Sequence, residues 1–121
     1  MVAAATAKIE SIPVADAQAR MNDDDFQLVD IRDPRELDRE GRIPGAFHAP
    51  RGMLEFWVDP ASPYHKPIFA SGKKLVFFCA SAWRSALSVE TLNAMGLNNA
   101  AQLEGGFGAW RKAGAPIDKA E

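Results

Sequence analysis

Leu75-Val76-Phe77-Phe78 runs without a polar interruption into Cys79, the chain's only cysteine. A strand with one wet face alternates apolar and polar residues, whereas an unbroken apolar run marks a strand covered on both faces. Phe26 to Ile31, "FQLVDI", is of the same kind, and Lys8 to Ile12, Ala46 to Ala49 and Ala100 to Glu104 are shorter strand candidates. Helix signals lie between them. Pro13 opens a helix running to about Met21, since proline is tolerated in a first helical turn. Asp33 suits an N-cap, Pro34 the first helical position, Glu36 the reciprocal capping contact and Gly41 the stop. Arg51 to Asp59 is compatible with a further helix, and Pro60 to Pro67 reads as a surface loop. From about Arg84 to Met95, the residues Ser85, Ser88, Val89, Leu92 and Met95 share one helical face, ended by Gly96. "GGFGAWRKAGAP" supplies a last helix stopped by Gly114 and Pro116. Such alternation predicts an α/β fold of three layers, a mostly parallel five-stranded sheet with helices on both faces and right-handed crossovers.

The chain's 121 residues suffice for one domain with a single core. With no repeat, low-complexity tract or linker, residues 1–121 are expected to form one domain whose core runs from about 9 to 117. Fourteen basic against 16 acidic residues, a net charge of -2, argue against nucleic acid and anionic membrane as partners. Any anion must be held by a local site. A lone cysteine forms no internal disulfide and has no resolving thiol in the same chain. The opening "MVAAATAKIE" lacks the basic segment of a secretory signal, and no stretch approaches the roughly 20 apolar residues of a membrane helix. The expected compartment is a reducing cytoplasm.

In an open α/β sheet, ligands bind beyond the carboxyl ends of the strands, where this pattern puts Cys79. Ala80, Ser81, Ala82, Trp83, Arg84 and Ser85 must then turn from strand to helix within a few residues. A tight turn of this kind directs successive backbone N–H groups at one spot, and the helix N-terminus behind it adds unpaired donors and positive partial charge. Both effects favour thiolate over thiol. Arg84 adds a permanent charge if it faces the loop, and Ser81 and Ser85 add hydroxyl donors. Taken singly, a cysteine ending an apolar run is more often buried filler than a nucleophile. Strand end, small residues, arginine and helix together point to an anion-binding reactive cysteine.

"CASAWRS" (Cys79 to Ser85) resembles the active-site loop of rhodanese-like domains, C-x-x-G-x-R-[ST]. "LVDIRDPRELDREGRIPGAFHAP" resembles the family's D-x-R-x-x-x-E…G-H-I-P-G-A stretch, with Asp30, Arg32 and Glu36 in step and Ile43-Pro44-Gly45-Ala46 identical. "LEGGFGAWRKAGAPI" is similar to its terminal L-x-G-G-x-x-x-W-x-x-x-G-x-P. The resemblance spans about Ile9 to Ile117 and implies a sulfurtransferase in which Cys79 carries sulfur as a persulfide. Its partners would be a small anionic donor, thiosulfate or a persulfide, and a thiol or cyanide acceptor, with room for a protein partner. It implies no metal and no organic cofactor. Related phosphatases and arsenate reductases of the same fold use a loop one residue longer than the four residues between Cys79 and Arg84, so that class is the alternative, as is a persulfide carrier or sensor without turnover. Two positions depart from the pattern. Ala82 replaces the loop glycine, which affects rate and donor size more than chemistry, and Arg42 replaces the usual histidine.

Outside the loop, Asp30 is expected to brace the cleft by holding a neighbouring arginine or the cysteine loop, and Arg32 to be an intramolecular ion-pair partner rather than a substrate ligand. Arg35 reads as an exposed helix charge. Trp83 offers a cleft wall and a backbone donor. Phe56 and Trp57 read as core packing ahead of an apolar rim or a partner contact, Phe107 and Trp110 as packing residues of the last helix, and His48 and His65 as strand and loop residues rather than catalysts.

Overall fold

The computed structural model describes residues 9–49, 53–59, 61–70, 72–80, 83–97 and 99–118, without the side chains of Pro67, Ala70, Trp83 and Arg84. Five strands appear: β1 (Ser11–Ile12), β2 (Phe26–Asp30), β3 (Phe47–His48), β4 (Lys74–Phe78) and β5 (Ala100–Leu103). They alternate with α1 (Val14–Arg20), α2 (Pro34–Glu40), α3 (Leu54–Val58), a 3-10 turn (Pro67–Ala70), α4 (Trp83–Ala94) and α5 (Gly106–Lys112). The strands line up as β1-β5-β4-β2-β3, and each neighbouring pair is parallel.

The unbroken apolar run of β4 has a direct structural reading. Leu75, Phe77 and Cys79 enter one core cluster with Val29, Ile31, Leu54, Val89 and Leu92. Val76 and Phe78 enter the other, with Ala17, Leu28, Leu103, Phe107 and Trp110. Helices α3 and α4 therefore cover one face, and α1 and α5 the other. Burying each large apolar side chain contributes about 1.5–3 kcal/mol, so a run buried on both sides anchors the whole domain.

From β2 the chain steps outward to β3; from β4 it steps the opposite way to β5. The carboxyl ends of β2 and β4 thus flank the point where the winding reverses, which in this architecture opens a crevice. Cys79 directly follows β4, and Asp30 ends β2 opposite Phe78.

Local chemistry explains α2. Asp33 accepts from the Arg35 N–H at 2.8 Å, while the Asp33 N–H donates to Glu36 Oε1 at 3.2 Å, closing a capping box with Pro34 in the first turn. Gly41 ends the helix at φ 85°, and a Cβ there would stand 2.7 Å from Ile117 Cγ2. Arg42 and Asp118 then exchange backbone hydrogen bonds of 2.8 and 2.7 Å, tying the C-terminal segment beside α2.

Two expectations are corrected. Met95 is 42 % exposed because α4 ends at Ala94, one residue before it, so Met95 leaves the helical face it was assigned to. Phe56 is 53 % exposed, since Leu54 and Val58 are the buried residues of the short α3; Phe56 packs edge-on against the equally exposed ring of Tyr64. Among the described residues, no helix is long and apolar enough to cross a membrane.

Asp33→Ala removes the capping box and should cost about 1 kcal/mol. Urea unfolding is expected to show a lower midpoint at unchanged slope.

Candidate active site

The sulfur of Cys79 sits where β4 gives way to α4. The Ser85 backbone N–H, in the first turn of α4, donates to Sγ at 3.4 Å, and Ser85 Oγ lies 3.8 Å from Sγ. Cys79 is 1 % exposed and belongs to the apolar cluster under α4. The Ser85 hydroxyl donates to Gln102 Oε1 at 3.0 Å rather than to the sulfur, which differs from the donor role expected of it. Ser81 and Ala82 lie outside the described residues. Trp83 and Arg84 open α4 with their backbone.

Helix α5 completes the site from the other side. The Phe107 N–H donates to the Cys79 carbonyl at 2.7 Å, and the Gly108 N–H to the Ala80 carbonyl at 2.9 Å. Both belong to the first helical turn, whose N–H groups have no partner within their own helix. Gly105 and Gly106, at φ 74° and 66°, turn the chain so that these donors face the loop. A Cβ on Gly108 would approach the Ala80 oxygen to 3.2 Å, so the close seating depends on glycine there. In the sequence these glycines marked only a helix start; two glycines directly after an apolar strand were the signal of a backbone approaching a neighbour.

Asp30 and Arg32 form a buried ion pair. Arg32 Nε donates to Asp30 Oδ1 at 3.0 Å and Nη2 to Oδ2 at 2.8 Å, and Nη2 also reaches the Gly41 carbonyl at 2.8 Å. The Arg32 side chain is fully buried, with its guanidinium 4.0 Å from the centre of the Phe107 ring. Among the described residues its Nη1 has no hydrogen-bond partner, and it lies 3.9 Å from Glu40 Oε2. His48 Nε2 donates to the Arg32 carbonyl at 2.8 Å, which gives this strand residue a bracing role. Arg32 thus supports the residue whose N–H holds the Cys79 carbonyl. Arg35, by contrast, is exposed and 3.4 Å from Asp33.

An α/β domain with a cysteine at its winding reversal and a helix N-terminus behind it is thereby defined. The rhodanese-like domain family matches residues 13–113, and the chain belongs to that family. A solved Rhodopseudomonas palustris protein of unknown function, named a "Possible Tyrosine Phosphatase", is 55 % identical with a TM-score of 0.92, covering 97 % of this chain and 90 % of that one. The polysulfide-sulfur transferase of Wolinella succinogenes is 31 % identical with a TM-score of 0.71, covering 96 % of this chain and 82 % of that one. A sulfurtransferase of Allochromatium vinosum is 30 % identical over 101 residues, covering 84 % of this chain and 86 % of the relative.

Asp30→Ala strands a buried guanidinium and should cost about 3–5 kcal/mol of unfolding free energy. The double variant Asp30→Leu/Arg32→Met removes both charges and is expected to recover most of that loss in the same denaturation experiment.

Proposed function

We propose that this chain is a sulfurtransferase that carries sulfane sulfur on Cys79. The observation that carries the reading is the Ser85 N–H directed at Cys79 Sγ, 3.4 Å away, at the strand-to-helix turn of a rhodanese-like domain. An amide donor from a helix start can hold a negative charge carried on that sulfur. The sulfurtransferase names of two relatives support the same class of chemistry.

In the first half-reaction the Cys79 thiolate attacks the outer sulfur of thiosulfate. A new S–S bond forms to Cys79, the donor's own S–S bond breaks, and sulfite leaves with the bonding electron pair. The product is an anionic persulfide. In the second half, a thiolate or cyanide attacks the terminal sulfur, and the electron pair returns to Cys79. Two half-reactions through a covalent intermediate imply ping-pong kinetics. Backbone N–H groups from Ala80 to Ser85 would hold the persulfide charge much as an oxyanion hole does, with Ser81 and Ala82 contributing as part of that turn. Arg84, one residue ahead of Ser85, would supply a fixed positive charge. The chemistry requires reduced thiols and suits a cytoplasmic setting.

A second reading is phosphatase or arsenate-reductase chemistry, of which the phosphatase half has the support of the 55 %-identical neighbour's name, "Possible Tyrosine Phosphatase". Against it stands the four-residue spacing between Cys79 and Arg84, short for a cradle around a tetrahedral oxyanion.

Intact mass after thiosulfate treatment should rise by one sulfur atom, and the adduct should leave with cyanide or dithiothreitol. Cys79→Ser should not load; an adduct that persists in this variant overturns the assignment, and turnover of an aryl phosphate or arsenate without sulfur loading would promote the second reading. Arg84→Lys keeps the charge but loses the planar donor fork, so its transfer rate should fall appreciably in a thiosulfate–cyanide assay. Ala82→Gly should raise turnover if the alanine methyl restricts the donor, and an unchanged rate removes the main support for a carrier that does not turn over.

A further inference from the structure

Gln102 is a polar residue in an apolar place. It is 3 % exposed on β5, and its backbone N–H is already used, donating to Glu10 at 2.9 Å. Its side chain therefore serves something other than the sheet. Burying an amide is costly unless both of its ends are satisfied, and here both are. Oε1 accepts from the Ser85 hydroxyl at 3.0 Å, and Nε2 donates to Ser11 Oγ at 3.0 Å. Ser85 Oγ is in turn 3.8 Å from Cys79 Sγ. A continuous polar chain thus runs from the sulfur, through Ser85 and Gln102, to Ser11 on the edge strand β1.

The chain has a direction. A hydroxyl carries one hydrogen, and Ser85 gives its own to Gln102, leaving only lone pairs toward the sulfur. That arrangement suits a thiol, whose S–H can point at Ser85. It is wrong for a thiolate or persulfide, which needs a donor. Every member of the chain can both give and accept a hydrogen bond, so it can be reversed without losing one. When the Gln102 amide turns end for end, Nε2 donates to Ser85, Oε1 accepts from Ser11, and the Ser85 hydrogen is freed for the sulfur.

We infer that Gln102 is a positioning residue that switches the Ser85 hydroxyl between accepting from a neutral Cys79 and donating to an anionic one. The inference rests on the reading of Cys79 as the reacting sulfur, but it is tested on the reduced protein with no sulfur donor present. Failure to load sulfur would sink the proposed function and leave this test intact.

Gln102→Met keeps the length and removes the amide. Released from its acceptor, the Ser85 hydroxyl should turn to the sulfur. The S–H stretching band of the single cysteine should then shift, and the thiolate absorbance at pH 7 should rise about fivefold, the worth of one ordinary hydrogen bond. Both changes should survive in a Ser85→Thr background, which keeps the hydroxyl, and vanish in Ser85→Ala. A band and absorbance that stay put in Gln102→Met, or that move equally in Ser85→Ala, would overturn the switch. The wild type gives a second reading that does not depend on a variant folding. Nuclear Overhauser contacts of the Gln102 side-chain amide protons should go to Ser11 in the thiol form and to Ser85 once alkali has made the sulfur anionic. Contacts that remain on Ser11 in both forms would refute the inference.

Discussion

Three consecutive carbonyls decide how this site is built. Where β4 stops, the Phe78 oxygen accepts from the Ile31 N–H at 3.0 Å, the Cys79 oxygen from Phe107 and the Ala80 oxygen from Gly108. A strand leaving its sheet normally exposes such groups to water; here an extension of β2 and the first turn of α5 satisfy them in order. With its carbonyls fastened outward on one side, the backbone can present N–H groups on the other, and the Ser85 amide is found on the sulfur. The geometry at Cys79 is thus set by backbone contacts from two elements that are distant in sequence from each other.

The buried Arg32 makes sense in the same frame. A buried ion pair is a poor source of net stability, because desolvating both charges offsets most of their attraction. Its return is geometrical. Held by Asp30 and the Gly41 carbonyl, the guanidinium lies 4.0 Å from the centre of the Phe107 ring, and the Phe107 N–H fixes the Cys79 carbonyl. Apolar residues in place of the pair should still let the chain fold, while leaving the start of α5 with a softer seat.

What could be read from the sequence was what local chemistry controls. The capping box of Asp33 and Glu36, the stop at Gly41 and the doubly covered β4 each depend on neighbours within a few residues, and each is found in the structure. The Asp30–Arg32 pair was legible because both residues lie at one strand end. Gln102 was not, since its partners are 17 and 91 residues away and nothing in "AAQLE" says which way an amide faces. Met95 and Phe56 failed for a related reason. A periodic pattern assumes that the helix continues and that a neighbour covers its face, and both conditions are set by tertiary structure. The Ser85 hydroxyl points away from the sulfur, contrary to expectation, because a competing acceptor stands on another strand.

Burial of the sulfur sharpens these details rather than contradicting a reactive role. Low polarity around the sulfur strengthens every hydrogen bond that does reach it, and raises the cost of any dipole pointing the wrong way. In water a misdirected hydroxyl is replaced by solvent; at 1 % exposure there is little solvent to replace it. The balance between inert packing thiol and nucleophile at Cys79 therefore turns on the orientation of a few nearby donors. The chain's net charge of -2 offers no help to an incoming anion, so that orientation must do locally what the overall field does not.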